Sequence, residues 1–217
     1  MPEPTAGHEA MIEPPDRFIT LLRHGEVAGG ARFRGRRDDP LTETGWRKVI
    51  DAAERALALQ PATSRIITSP ARRCAEPAER LARDHGLRIE RSDALAERAF
   101  GDWEGLPGDQ IPAPQLQRFW ADPAGYTPPG AEPFHLFRTR VIAGWWRRAV
   151  APLGDALIVT HGGVIRVIVA DLLSLADPTG LLIEVPHACL TRIRIPSPPG
   201  RPSVVSHGPV HCPEVRA

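Results

Sequence analysis

The sequence predicts an α/β protein, a three-layer α/β/α arrangement around a mostly parallel central sheet. Three observations carry that expectation. Short apolar runs alternate along the chain with stretches whose apolar residues recur every three or four positions, the pattern of strands alternating with helices. Two of the apolar runs stop abruptly on a histidine followed by glycine. The chain has 217 residues, enough for one substantial core, since domains of this size bury roughly 70% of the surface they expose unfolded.

The elements follow in order. Residues 1–16, acidic and proline-bearing, read as a loose leader, 17–196 as the folded domain and 197–217 as a proline-rich tail. Residues 18–22 form a buried strand ending at Arg23-His24-Gly25. After a loop rich in glycine and arginine, Thr42 is the expected N-cap of a helix. Trp46, Val49, Ile50, Ala53 and Leu57 share one face of it, up to Pro61. Residues 65–68 are a second strand. Ser69-Pro70 is expected to cap the next helix, with proline in its first position, and Cys74, Ala78, Leu81 and Ala82 line one face. Residues 87–90 are a third strand.

From 93 to 130 the composition shifts to glycine, proline and tryptophan, which predicts long loops around one or two short helices. Phe134, Phe137, Val141 and Trp145 mark another helix. Residues 156–160 are a strand that stops at His161-Gly162-Gly163, and 164–175, apolar almost all round, a buried helix. Residues 188–195 are the last strand expected.

Charge and composition exclude several classes. Lys+Arg is 27 against Asp+Glu 26, a net charge of +1, which speaks against a broad basic surface for nucleic acid. Lys48 is the only lysine, with no glycine immediately before it and no serine three residues earlier. That removes P-loop, Ser-x-x-Lys and Schiff-base chemistry. The remaining cations are arginines, whose two-donor forks suit oxyanions, though most read as surface composition. Cys74, Cys189 and Cys212 form no C-x-x-C pair and, being odd in number, no disulfide framework. The first 16 residues lack an apolar signal core and no apolar run approaches 18 residues, so a soluble cytoplasmic protein is expected.

In open α/β sheets, ligands bind beyond the carboxyl ends of the strands. If the two strands ending in His-Gly are parallel neighbours, His24 and His161 meet there. Ser69-Pro70-Ala71-Arg72-Arg73 places arginines in the first turn of a helix at the same edge. Two imidazoles, arginines and helix N-termini make an anion pocket that suits phosphate. Each motif alone is weak, and their coincidence in one framework is the signal.

From about Ile19 to Ile195 the chain resembles the histidine phosphatase superfamily, the phosphoglycerate-mutase-like fold. Five blocks carry the resemblance: Leu22-Arg23-His24-Gly25-Glu26; Arg32-Phe33-Arg34-Gly35 with the loop from Asp38 to Gly45; Ser69-Pro70-Ala71-Arg72-Arg73-Cys74; Leu95-Ala96-Glu97-Arg98-Ala99-Phe100-Gly101-Asp102-Trp103-Glu104-Gly105; and His161-Gly162-Gly163. The resemblance implies that His24 is the nucleophile, attacking through a neutral ring nitrogen while the other is tied to an acceptor. It implies that Arg23, Arg73 and a protonated His161 bind the phosphoryl oxygens. Glu97 would protonate the leaving alkoxide and then activate water.

Neither a metal nor a cofactor is implied. Family spacing selects Arg73 over an exposed Arg72, and Arg34 and Gly35 are candidate substrate contacts. Pro77 departs from the family's threonine and forfeits a helical bond to the Arg73 carbonyl, so a kink is in prospect.

The Phe119-Trp120-Ala121-Asp122-Pro123 run and the Pro-rich 128–133 stretch add to a likeness to α-ribazole phosphatases of cobalamin synthesis. A phosphoglycerate mutase or broad sugar-phosphate phosphatase is the alternative. Ala28-Gly29-Gly30, where mutases carry an asparagine-containing stretch, weakens the mutase. A catalytically silent phospho-ligand binder is the alternative of another class, disfavoured because every catalytic position is present. The expected partner is a small phosphorylated metabolite, with no nucleic acid and no membrane; a homodimer stays open.

Other residues take plainer roles. Cys74 reads as a buried helix-face residue, Glu104 as a turn residue and His187 as a structural loop residue. Trp145-Trp146 reads as core plus a partly exposed face, and Asp38-Asp39 with Arg36-Arg37 as a self-neutralising loop. His8, His85, His207 and His211 show no metal-ligand spacing.

Overall fold

Side chains alternate across the strands, and the alternation divides the core in two. In β1 (Arg17–Arg23), Ile19 and Leu21 face one side and Leu22 the other; in β4 (Asp155–Thr160), Ile158 opposes Leu157 and Val159. Ile66 and Ile67 of β2 (Thr63–Thr68) split the same way. Helices α1 (Glu43–Leu59) and α2 (Arg72–His85) cover one face through Val49, Ala53, Ala78 and Leu81. Helices α4 (Phe134–Gly144) and α5 (Gly162–Leu172) cover the other through Phe137, Val141, Ile165 and Ile168. Each fully buried branched side chain contributes about 1.5–3 kcal/mol. The three-layer α/β/α expectation holds.

The computed structural model describes residues 16–150, 154–197 and 199–209. Strand order is β3-β2-β4-β1-β5-β6, with β3 (Arg88–Arg91), β2, β4 and β1 parallel. The strands β5 (Leu190–Ile195) and β6 (Ser203–Gly208) run antiparallel at one edge. β6 lies in the segment expected to be a tail. It pairs with β5 from Leu190↔Gly208 to Arg194↔Ser203, and flanking prolines hide it in the sequence. β5 starts at Leu190 because Ala188 adopts a φ of 56°, which a strand does not accommodate. The expected leader, apart from Asp16, lies outside the described residues, as do Cys212, His8 and His211. Among the described residues no helix is long and apolar enough to cross a membrane.

Thr42 caps α1 as expected, its hydroxyl accepting from Gly45 N at 2.9 Å. Helix α2 corrects the expected start. Its N-cap is Ala71, with Ser69 and Pro70 outside the helix. The Ser69 hydroxyl is 2.7 Å from His161 Nε2, and Asp38 reaches in from its loop to accept from Arg72 N at 2.8 Å. Helix α2 runs unbroken through Pro77 to a left-handed Gly86. Between β3 and α4, three short 3-10 turns and α3 (Ala113–Ala121) gather Trp103, Ile111 and Phe119 into a satellite core with Phe33 and Phe100. After α4 the chain makes a wider turn from Trp145 to Val150, with Trp145 buried and Trp146 partly exposed. A last short helix, α6 (Asp177–Gly180), leads towards β5.

Candidate active site

β1 and β4 are parallel neighbours with Arg23 opposite Thr160, and His24 N donates to the Thr160 carbonyl at 2.9 Å. The residues that follow each strand therefore stand side by side at the carboxyl edge. The rings of His24 and His161 are 5.2 Å apart and steeply inclined. Ser69, one residue past β2, is tied to the same edge by its amide, which donates to the Val159 carbonyl at 3.0 Å. This is the convergence expected from the two His-Gly motifs.

His24 Nδ1 lies 2.7 Å from the Gly25 carbonyl. A carbonyl only accepts, so the proton sits on Nδ1 and Nε2 keeps its lone pair. Burial, then the Arg73 charge, holds His24 well below the usual imidazole range. Burial and Arg73 do the same to His161. The expected protonated His161 concerns the phosphate-bound site; without an anion, burial and the neighbouring arginines disfavour the imidazolium. A bound phosphoryl dianion would supply the opposite charge that favours the imidazolium. Cys74 lies 3.7 Å from His161 Nε2, and burial pushes its thiol up to about 12, so it packs as an inert neutral group.

Arg73, not Arg72, is turned inward. Arg72 is exposed and pairs with Glu76, whereas Arg73 is 1% exposed. Its terminal nitrogens donate to the carbonyls of Arg37 (2.7 Å) and Gly35 (3.0 Å). Arg23, closing β1, donates to the Val185 carbonyl. In both residues the buried Nε–H has no hydrogen-bond partner. An unmet buried donor costs about 1–3 kcal/mol, and such a donor suits an anion that could accept from it.

The loop that holds Arg73 is itself held by Glu104, whose carboxylate accepts from the amides of Gly35, Arg36, Arg37 and Phe100 at 2.8–3.1 Å. The turn role expected of Glu104 is therefore a clamp that aims two carbonyls at Arg73. Gly35 is buried, and a Cβ there would lie 1.9 Å from the Arg98 carbonyl oxygen. Its backbone supports Arg73. Arg34 borders the cavity, but its donors are taken by Asp39, Gly30 and Ala28.

Glu97 arrives from the irregular arm between β3 and α4. Its carboxylate accepts from Gly163 N in the first turn of α5 and from Arg98 N, both at 3.0 Å. Two arginines secure the arm. Arg98 donates to the carbonyls of Glu132, Pro123 and Tyr126. Arg140 donates to Ala96 O (2.8 Å) and Glu97 O (3.0 Å) and pairs with the Glu132 carboxylate. Sequence reasoning missed Arg140 and Glu132, because no motif marks an α4 side chain that serves a distant backbone.

The cavity so formed, about 480 Å³, is bordered by Arg23, His24, Arg34, Glu97 and His187. His187, expected as a structural loop residue, borders the cavity beside His24. Its ring centroid lies 5.7 Å from that of His24, and burial pushes its pKa down to about 4. Among the described residues no group of three His, Cys, Asp or Glu side chains is placed to hold a metal ion.

Fold and site together define an α/β protein whose sheet edge brings two histidines together with two buried arginines. A family model described as the histidine phosphatase superfamily (branch 1) matches residues 19–208, and the chain belongs to that superfamily.

A bifunctional protein of Mycobacterium tuberculosis is 35% identical over 186 residues, 83% of this chain and 50% of that protein. The chain thus spans about half the length of that relative. A glucosyl-3-phosphoglycerate phosphatase of the same species is 32% identical, covering 73% of this chain and 76% of the other. The solved mycobacterial glucosyl-3-phosphoglycerate phosphatase superposes with a TM-score of 0.70 at 27% identity, over 88% of this chain and 98% of that one. An Escherichia coli structure provisionally assigned as an α-ribazole-5′-phosphate phosphatase superposes with a TM-score of 0.75 at 22% identity, over 88% and 96%, a likeness of fold. The expectation of a phosphatase agrees with the names of the relatives.

Proposed function

We propose that the chain is a metal-independent phosphomonoester hydrolase that works through a phosphohistidine. The observation that carries this is the 2.7 Å hydrogen bond from His24 Nδ1–H to the Gly25 carbonyl. It leaves Nε2 unprotonated beside two buried guanidinium donors that lack partners.

The ester's phosphoryl oxygens take the Nε–H groups of Arg23 and Arg73, with His161 as a third donor. His24 Nε2 forms the P–N bond as the P–O bond breaks, and Glu97 gives its proton to the departing alkoxide. The resulting Glu97 carboxylate takes a proton from water, whose oxygen attacks phosphorus, and P–N cleavage returns neutral His24 and phosphate. Each preorganised donor is worth about 10²–10³ in rate, and the acid about 10²–10⁴.

The motif blocks support α-ribazole 5′-phosphate of cobalamin synthesis as substrate. A second reading, a sugar-phosphate phosphatase, is favoured by the 32% identity to a glucosyl-3-phosphoglycerate phosphatase. Comparing kcat/KM for these two esters with generic sugar phosphates decides between them. Buried free thiols at Cys74 and Cys189 suit a reducing cytoplasm.

The reaction class is tested with p-nitrophenyl phosphate in EDTA. Turnover with an acid-labile phosphoenzyme, both lost in His24→Ala, is expected. Phosphate binding without turnover by the unaltered protein would establish the silent binder instead.

A further inference from the structure

We infer that the alcohol released by this enzyme carries an apolar ring, which lies in a second cavity beyond Glu97. The inference rests on the phosphatase reading, because it takes Glu97 as the group that touches the leaving oxygen.

Beside the phosphoryl cavity is another of about 270 Å³, and the two share Phe33, Glu97 and Phe100 as common wall. A substituent on the leaving oxygen must pass that wall on one side or the other. On the nucleophile's side the border is polar and charged, with Glu26, Arg32 and Arg34. On the far side it is aromatic, where Phe119, Trp120 and Phe134 join the two shared phenylalanines. Of the two arginines there, Arg98 is spent on three carbonyls. Arg166 is fixed through Nε to the Ile183 carbonyl and adds one cationic edge to an otherwise apolar chamber.

Trp120 is the second, independent observation. Its indole is 64% exposed, although it packs 5.0 Å from Phe119 and 6.3 Å from Phe33. The core does not need an indole left in water at a cavity rim. A ring seated in the chamber would cover it and gain the edge-to-face contacts that aromatic side chains offer.

The test compares benzyl phosphate with ethyl phosphate, two esters of primary alcohols whose leaving groups make similar demands on Glu97. Burying a phenyl ring predicts a kcat/KM roughly 10–50-fold higher for benzyl phosphate. Trp120→Ala is expected to cut that preference about fivefold and leave ethyl phosphate unchanged, with Trp120→Phe restoring most of it. Equal kcat/KM for the two esters, with the phosphoenzyme still formed, would overturn the inference and leave the phosphatase standing. A preference untouched by Trp120→Ala would overturn this placement of the ring. Hydrolysis of neither ester would instead remove the phosphatase reading on which the inference depends.

Discussion

The proposed phosphoryl half of the site and the proposed acid half are held by different means. His24, Ser69 and His161 follow the ends of adjoining parallel strands, and interstrand hydrogen bonds hold the first two, from His24 N to the Thr160 carbonyl and from Ser69 N to the Val159 carbonyl. Glu97 stands on an arm with few ladder bonds, fixed by single side chains: Arg98, Arg140 and the Glu104 clamp. A ladder shares its load among many bonds. An arm tied by side chains has separable points of failure, so substitutions should sort by which half they loosen.

The largest effect is expected in the phosphoryl half, at Arg73 of α2, the residue proposed to bind the phosphoryl group directly. Arg73→Met removes a buried donor, and kcat should fall about 10²–10³-fold while α1, α2 and the sheet stay folded by circular dichroism.

The arm answers next. At Gly163 a Cβ would meet Glu97 Oε1 at 2.2 Å, so Gly163→Ala must push the carboxylate away. A loss on the order of 10²-fold is expected with alkyl phosphates, and a smaller one with p-nitrophenyl phosphate, whose leaving group needs little protonation. Gly162→Ala is the control, since its nearest neighbour would be Arg23 Nε at 3.4 Å; equal losses at both positions would refute the docking of Glu97 on α5.

Arg140→Leu acts one step further out. It deprives the Ala96 and Glu97 carbonyls of a donor and leaves the Glu132 carboxylate without its ion pair. Stability should fall by about 2–4 kcal/mol and kcat about tenfold with KM little changed. Amide exchange should quicken over residues 93–99 and not in β1 or β4. Uniform quickening would mean that the arm is not a separate unit.

The same contrast governs what could be read in the sequence. His24 and His161 were legible because a strand that ends in His-Gly leaves a local trace, and the short apolar runs at 18–22 and 156–160 marked buried strands. Arg140, Glu132 and the grip of Glu104 on the 35–37 loop left none, since side-chain bonds to backbone 33–69 residues away have no period. Ser69 misled for a related reason: its hydroxyl faces His161 across 92 residues, so the cap motif was real in composition and spent elsewhere. Motif position also says nothing of desolvation, which disfavours the His161 imidazolium until an anion binds.

That neutral pair gives the smallest expected effect and the sharpest check on the ladder half. In the unfolded chain both histidines protonate near the ordinary 6.5, whereas burial lowers both in the folded one. The unfolded state then binds more protons below 6.5. Stability is therefore full above pH 6.5 and is lost as pH falls from 6.5 towards the folded values. At pH 5.5 each histidine that stays neutral when folded removes at most about 1.4 kcal/mol. The denaturation midpoint should drop between pH 7.5 and 5.5, less so in His161→Gln. Saturating orthophosphate should offset part of the drop in the wild type, because an anion at the proposed Arg23–Arg73 site would favour the His161 imidazolium that burial disfavours. A drop that phosphate leaves unaltered would mean that His161 does not face the bound anion, and the third oxyanion donor would have to be sought at His187.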